Sequence, residues 1–141
     1  MREFSKVSPA VWLSKRFTNL ASDDAKLCYL YLLTSEHQNS AGVYRLKDEY
    51  AVADLRWTMD RYFNARAQLI EADLIRFDAD TSTVMIKRWF RHNGPMNESH
   101  YKGVMKVIRK IEHEAFSFEA SVELADAYEA VKASKAETTT E

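Results

Sequence analysis

Arg61, Asn64 and Gln68 stand at i, i+3 and i+7, the spacing that sets three side chains along one face of a helix. Arginine, asparagine and glutamine make paired hydrogen bonds to guanine and adenine edges in the major groove of DNA. Tyr62, Phe63, Leu69 and Ile70 fall on the opposite face, and Ala65 lies between the polar three, small enough to let the helix approach closely. A solvated helix face favours the same residue types, so composition alone leaves base contact and plain exposure equally open. Asp60 and Glu71 argue against this segment as a phosphate binder. A second group is electrostatic. Lys102, Lys106, Arg109 and Lys110 recur at i, i+4, i+7 and i+8, with Tyr101, Val104, Met105, Ile108 and Ile111 on the other side. Such a helix can bury its apolar face and lay its cations along phosphates, which position a protein without specifying sequence. Lys87, Arg88, Arg91 and His92 precede it. Arg56, just before the Arg61 segment, and Arg76, in a hairpin pattern, complete the candidate DNA contacts.

The charge is unevenly distributed. The chain carries a net charge of -1, yet residues 87–110 hold seven basic residues and one acid, Glu98, a net of +6. Residues 111–141 hold two lysines and eight acids, a net of -6. A near-neutral protein can therefore present a basic face to a polyanion. The competing expectation is a helix neutralised by the acidic C-terminal segment folded against it. At the tip of the hairpin, Asp78 and Asp80 would be repelled by phosphate, whereas Thr81, Ser82 and Thr83 could donate hydrogen bonds. Trp89, Phe90 and Tyr101 are the candidates for stacking on bases; the other aromatics are read as core.

Catalysis finds no foothold. His37, His92, His100 and His113 have no cysteine partners at zinc-ligand spacing, and His92 and His100, which flank Gly94-Pro95, lack a third ligand. No G-x-x-x-x-G-K-S/T loop and no Ser-His-Asp or Cys-His arrangement occurs, and three glycines leave no glycine-rich loop. The expectation is a protein that is not an enzyme and holds no metal or cofactor. One cysteine, Cys28, gives no internal disulfide and fits a reducing compartment. No apolar run approaches the roughly 18–20 residues of a membrane span, and Met1 to Ser5 does not open a signal peptide. A cytoplasmic protein of a bacterial host cell with no membrane contact is expected.

The elements that must position these residues follow from caps and periodicity. Ser8-Pro9 predicts the start of a short helix with Val11, Trp12 and Phe17 as apolar contacts. Ser22-Asp23-Asp24 opens a helix to about Glu36, apolar almost all round and so the buried central one. Asn39 to Gly42 reads as a turn and Val43 to Leu46 as a short strand. A helix over 47–54 carries Tyr50, Ala51 and Leu55 on one side. Leu55-Arg56-Trp57 breaks it, and Thr58 caps a longer helix over 59–72 with the stripe Met59, Tyr62, Phe63, Arg66, Leu69 and Ile70. Leu74 to Phe77 and Val84 to Ile86 predict a hairpin. A helix over 99–114 follows, then one capped by Ser117 to about Ala133 with Phe118, Val122, Ala125 and Tyr128 on its apolar face. The fold class is mainly α with a small β-hairpin wing (α+β), a winged helix-turn-helix plus C-terminal helices. Residues 1–96 form the winged helix-turn-helix domain, 97–134 a helical extension packed on it, and 135–141 a disordered tail.

Several of these segments resemble a known family. Trp12-x2-Lys15-x-Phe17-x2-Leu20, Asp24-Ala25-Lys26-Leu27 and Tyr29-Leu30-Tyr31-Leu32-Leu33-Thr34 look like the opening of winged-helix domains in phage replication initiators, or replisome organisers. Gly42-Val43-Tyr44, Leu69 to Ile75, and Trp89-Phe90-Arg91-His92-Asn93-Gly94-Pro95-x-Asn97 continue the likeness over roughly residues 10–115. The resemblance implies binding of double-stranded DNA at an origin and recruitment of replication proteins. Such proteins often continue into a C-terminal region that engages the helicase or its loader. This chain ends soon after one acidic helix, so the expectation is a DNA-binding fragment or a short phage regulator on the same domain. The alternative is a protein-interaction module, an inhibitor of host machinery such as an anti-CRISPR, for which Asp78, Asp80 and the acidic last helix speak. A homodimer would predict a two-fold symmetric DNA target.

Overall fold

Helices begin where the sequence supplies caps. Ser8, Ser14, Ser22, Thr58 and Asn97 each turn a side-chain oxygen back to a first-turn amide, at Ala10, Phe17, Ala25, Arg61 and His100. The computed structural model describes the backbone of residues 3–140 and the side chains of residues 3–137. A 3₁₀ turn, Pro9–Leu13, leads into α1 (Lys15–Thr18) and α2 (Asp23–Thr34). Then come β1 (Val43–Arg45), α3 (Asp48–Leu55), α4 (Met59–Glu71), β2 (Ile75–Asp78) and β3 (Thr83–Ile86). A second 3₁₀ turn, Trp89–Arg91, precedes α5 (Glu98–Arg109) and α6 (Glu114–Thr140). The protein is mainly helical with a small antiparallel sheet and a β-hairpin wing, in winged helix-turn-helix order.

The strands lie in the order β1-β3-β2, so β3 is central. Val43 pairs with Met85 and Tyr44 with Val84 on one side; Arg76 pairs with Met85 and Phe77 with Val84 on the other. Side chains alternate across a pleated strand, so Tyr44, Phe77 and Val84 share one face and Val43, Arg76 and Met85 the other. Contacts identify what covers each. The Tyr44 hydroxyl donates to the Leu32 carbonyl of α2 at 2.7 Å, and the Arg66 guanidinium of α4 lies 3.8 Å from the centre of the Phe77 ring. On the other face Arg76 pairs with Glu119 of α6 and lies over Phe116, and His113 sits 3.7 Å from Asp78. All four residues of β3 are buried. The sheet is thus the middle layer between α2–α4 and the α5–α6 hairpin, and one apolar cluster extends through it from Ala25 to Leu124.

Within the first layer, Arg66 joins three elements. It bonds Asp48 of α3 at 2.7 Å and lies among Tyr62, Phe63 and Phe77, so a single cation ties the helix-turn-helix to the wing. The turn between α3 and α4 is made by Arg56, whose positive φ of 58° ends α3 in the left-handed conformation. The loop before β1 is held from the far side. Gly42 has φ +70°, and a Cβ there would come within 2.4 Å of the Trp89 ring. The Trp89 indole N–H donates to the Ser40 carbonyl at 3.0 Å, so ring and loop close on each other.

Several expected faces are rotated. The buried stripe of α4 is Tyr62, Ala65 and Leu69, while Phe63 and Ile70 are exposed. Ala65, expected between the polar residues, faces the core, because it shares the stripe with Tyr62 and Leu69 at helical spacing. On α6 the packed residues are Phe116, Ala120 and Leu124, and Phe118, expected to pack, is 71% exposed. The helix starts at Glu114, before the Ser117 cap; the Ser117 hydroxyl donates to the Ile108 carbonyl, and His113 Nδ1 caps the Phe116 amide. The helix also continues to Thr140, through residues expected to form a tail; Glu141 lies outside the described residues. Trp12 is 63% exposed, packed edge-on against fully buried Phe17, and on α3 only Ala51 is buried.

Two glycines should respond oppositely. Gly42→Ala meets both the left-handed backbone and the Trp89 ring, and is expected to cost about 2–5 kcal/mol. Gly103→Ala, in the exposed interior of α5 with nothing within 4 Å of the added carbon, is expected to stabilise by about 0.5–1 kcal/mol. Urea unfolding of the two variants checks both signs.

Candidate nucleic-acid interface

The proposed reading helix is partly occupied by its neighbour. The guanidinium of Arg61 bonds both carboxylate oxygens of Asp24 at 2.7 and 2.8 Å and lies 4.4 Å from the Trp57 ring. This bonding holds the Asp24 carboxyl below its ordinary range. Gln68 Oε1 accepts the Ser22 hydroxyl at 2.6 Å. Both contacts reach the N-terminal end of α2, because α2 and α4 pack side by side in the core. Of the expected trio only Asn64 is left on the outer face of α4, in line with Asp60, Ala67 and Glu71. That face has two carboxylates and no cation.

The basic set splits in two. Lys87, Arg88 and Arg76 are taken up by carboxylates. Lys87 reaches Glu119 at 3.2 Å and Asp73 at 3.9 Å, Arg88 pairs with Asp73 at 3.2 Å, and Arg76 pairs with Glu119. Neutralisation by the acidic last helix thus holds for Arg76 and Lys87, through Glu119, while Arg88 is balanced by Asp73. On α5 it does not. Lys102, Lys106, Arg109 and Lys110 are all exposed, while Val104 and Ile108 on the opposite side are buried. Lys102 pairs at 3.2 Å with Glu98 on its own helix, and Lys106, Arg109 and Lys110 have no ion-pair partner among the described residues. Arg56 and Arg91 are exposed.

The expectation that α4 and the α5 stripe open onto one side is corrected by the layering. α4 packs on the sheet face that carries Phe77, and α5 packs with α6, which covers the face that carries Arg76. The two surfaces lie on opposite sides of the sheet, and no single straight groove meets both. Two of the three expected wing-tip donors, Thr81 and Thr83, are also taken up. Asp78 accepts the Thr81 amide at 2.9 Å and the Thr81 hydroxyl at 2.5 Å, and Thr83 is buried. These bonds, hydroxyl first, lower the Asp78 carboxyl, so its contribution is present above the ordinary carboxylate range and fades as acid protonates it. Trp89 and Phe90 are core residues and Tyr101 is stacked on Tyr128 at 4.5 Å, which removes them as platforms for bases.

No protein-family model matches the chain, and no curated protein or solved structure is significantly similar to it. Three of the four histidines have structural contacts. His37 stacks on Tyr50, His100 Nδ1 accepts the Met96 amide, and His113 caps α6. Among the described residues no helix is long and apolar enough to cross a membrane.

A cleft of about 550 Å³ escaped the sequence reading. It opens between the N-terminal 3₁₀ turn with α1 and the strand-to-turn segment around residues 86–93. Its residues are far apart along the chain, and no spacing rule joins Lys15 to Arg91. The only legible signal was the clustering of cations in two separate segments.

Burial pushes the Cys28 thiol up to about 12, so it is a packed, inert side chain. Native protein at pH 8 is expected to resist iodoacetamide and to take one label per chain in denaturant, as read by mass spectrometry.

Proposed function

We propose that this chain binds duplex DNA through its phosphate backbone, with the outer face of α5 as the main contact. The observation that carries the reading is the group Lys106, Arg109 and Lys110, exposed and without carboxylate partners among the described residues, on a helix whose other side is fixed in the core. With Lys102 they span about 12 Å of helix axis, enough to follow several phosphates. The mode differs from base reading by α4, whose outer face bears Asp60 and Glu71. The likeness of residues 10–115 to winged-helix domains of phage replisome organisers agrees with a DNA partner, in replication or in regulation.

Fluorescence anisotropy with a random duplex tests the proposal. Three phosphate contacts predict a loss of affinity of about 40-fold between 50 and 200 mM salt. Replacing Lys106, Arg109 and Lys110 together by alanine is expected to weaken binding to every sequence and flatten the salt slope, whereas Arg61→Ala leaves affinity unchanged. A triple variant that binds as the parent does would sink the reading.

One observation favours a second reading, a protein-interaction module. Phe118 and Val122 face outward on α6, and Phe63 and Ile70 do so on α4. Apolar side chains grouped at a surface mark association sites more often than solvated ones do. No shift with duplex at low salt, together with a cross-linked protein partner, would decide for it.

A further inference from the structure

The cleft between the N-terminal segment and the base of the wing has a uniform electrostatic rim. Six cationic side chains line it: Lys6, Lys15, Arg16, Lys87, Arg88 and Arg91. No aspartate or glutamate does. Lys87 and Arg88 are balanced by Asp73 and Glu119, neither of which lines the cleft. Lys6, Lys15, Arg16 and Arg91 have no ion-pair partner among the described residues, and all four are exposed. Cations converging on a concavity focus a positive potential into it.

The inner surface has the opposite character. Phe17, Leu33, Leu74, Ile86 and Trp89 are buried side chains that back the cleft. Tyr29 joins them, half-buried, 5.9 Å from Phe17, and its hydroxyl has no hydrogen-bond partner among the described residues. The positions are well fixed. Phe17 is fully buried under Trp12, Trp89 is locked by Gly42 and Ser40, and Arg88 is held in the left-handed conformation at φ 58°. A pre-formed concavity of several hundred cubic ångströms, backed by packed apolar side chains and lined by convergent polar groups, is a usual form of a small-ligand site.

The geometry points to a nucleotide-binding site in this cleft, with the phosphates held by Lys15, Arg16 and Arg91 and the base against the partly exposed Val11 and Tyr29. The cation excess matches a group of several negative charges. The apolar backing asks for a body that a bare phosphate lacks. The nucleotide has two sources, a free nucleoside triphosphate or the phosphorylated end of a nucleic-acid strand. The site stands apart from the α5 stripe and does not rest on the duplex reading.

Calorimetry on the full chain tests it with three probes: a deoxynucleoside triphosphate, a short 5′-phosphorylated single strand, and inorganic tripolyphosphate. One site per chain is expected for the first or the second, and which of them binds identifies the source. The double variant Lys15→Glu/Arg16→Glu changes exposed residues on α1, and circular dichroism verifies that it folds. It is expected to lose at least tenfold in nucleotide affinity, while the Lys106, Arg109 and Lys110 alanine variant keeps it. Tyr29→Phe is expected to weaken binding of the nucleotide more than that of tripolyphosphate. Four results would overturn the assignment: no binding of either nucleotide probe, tripolyphosphate bound as tightly as nucleotide, loss of binding in the α5 variant alone, or an acidic peptide of equal charge bound in preference.

Discussion

The burial of β3 on both faces is the constraint on which the rest of the molecule depends. A central strand with one wet face would leave α5 and α6 free to sit elsewhere. Here Met85 and Thr83 are buried along with Val84, so the second face is covered, by the hairpin of α5 and α6. Glu119 fixes its position by meeting Arg76 and Lys87 on the face that α6 covers. The charge distribution then follows. Arg76 and Lys87 are turned toward the acidic helix, and Lys106, Arg109 and Lys110 face outward without carboxylate partners among the described residues.

Electrostatics and packing act on different length scales in this protein. Arg61, Arg66 and Arg76 each meet one carboxylate and one or more aromatic rings, which makes them cements between elements. The exposed ones among them contribute little stability individually. Arg66, mostly buried between Asp48 and Phe77, matters more, since removing it strands a carboxylate beside apolar rings. The free cations of α5 and of the N-terminal cleft contribute nothing of this kind.

The fold was legible because its punctuation was local. Ser8, Ser22 and Thr58 cap the helices expected of them, and Gly42 ends the turn before β1. Faces were harder. On α4 and α6 apolar residues run around more than half the helix, so periodicity did not separate Ala65 from Phe63, or Phe116 from Phe118. The small residues Ala65 and Ala120 decide the packed side, because they allow close approach, yet they carry little weight in a hydrophobic pattern. The site was least legible. Ion pairs such as Arg61 with Asp24 and Lys87 with Glu119 join positions 37 and 32 residues apart, and no spacing within one helix announces them.

The fit of Trp89 over Gly42 has a consequence for how this chain can be shortened or recombined. The indole comes after the wing, yet it seals the loop in front of the first strand. A gene cut at the end of the hairpin would remove the stopper and leave a bare glycine turn over an open hollow. A chimera built from this chain should therefore carry Gly42 and Trp89 together.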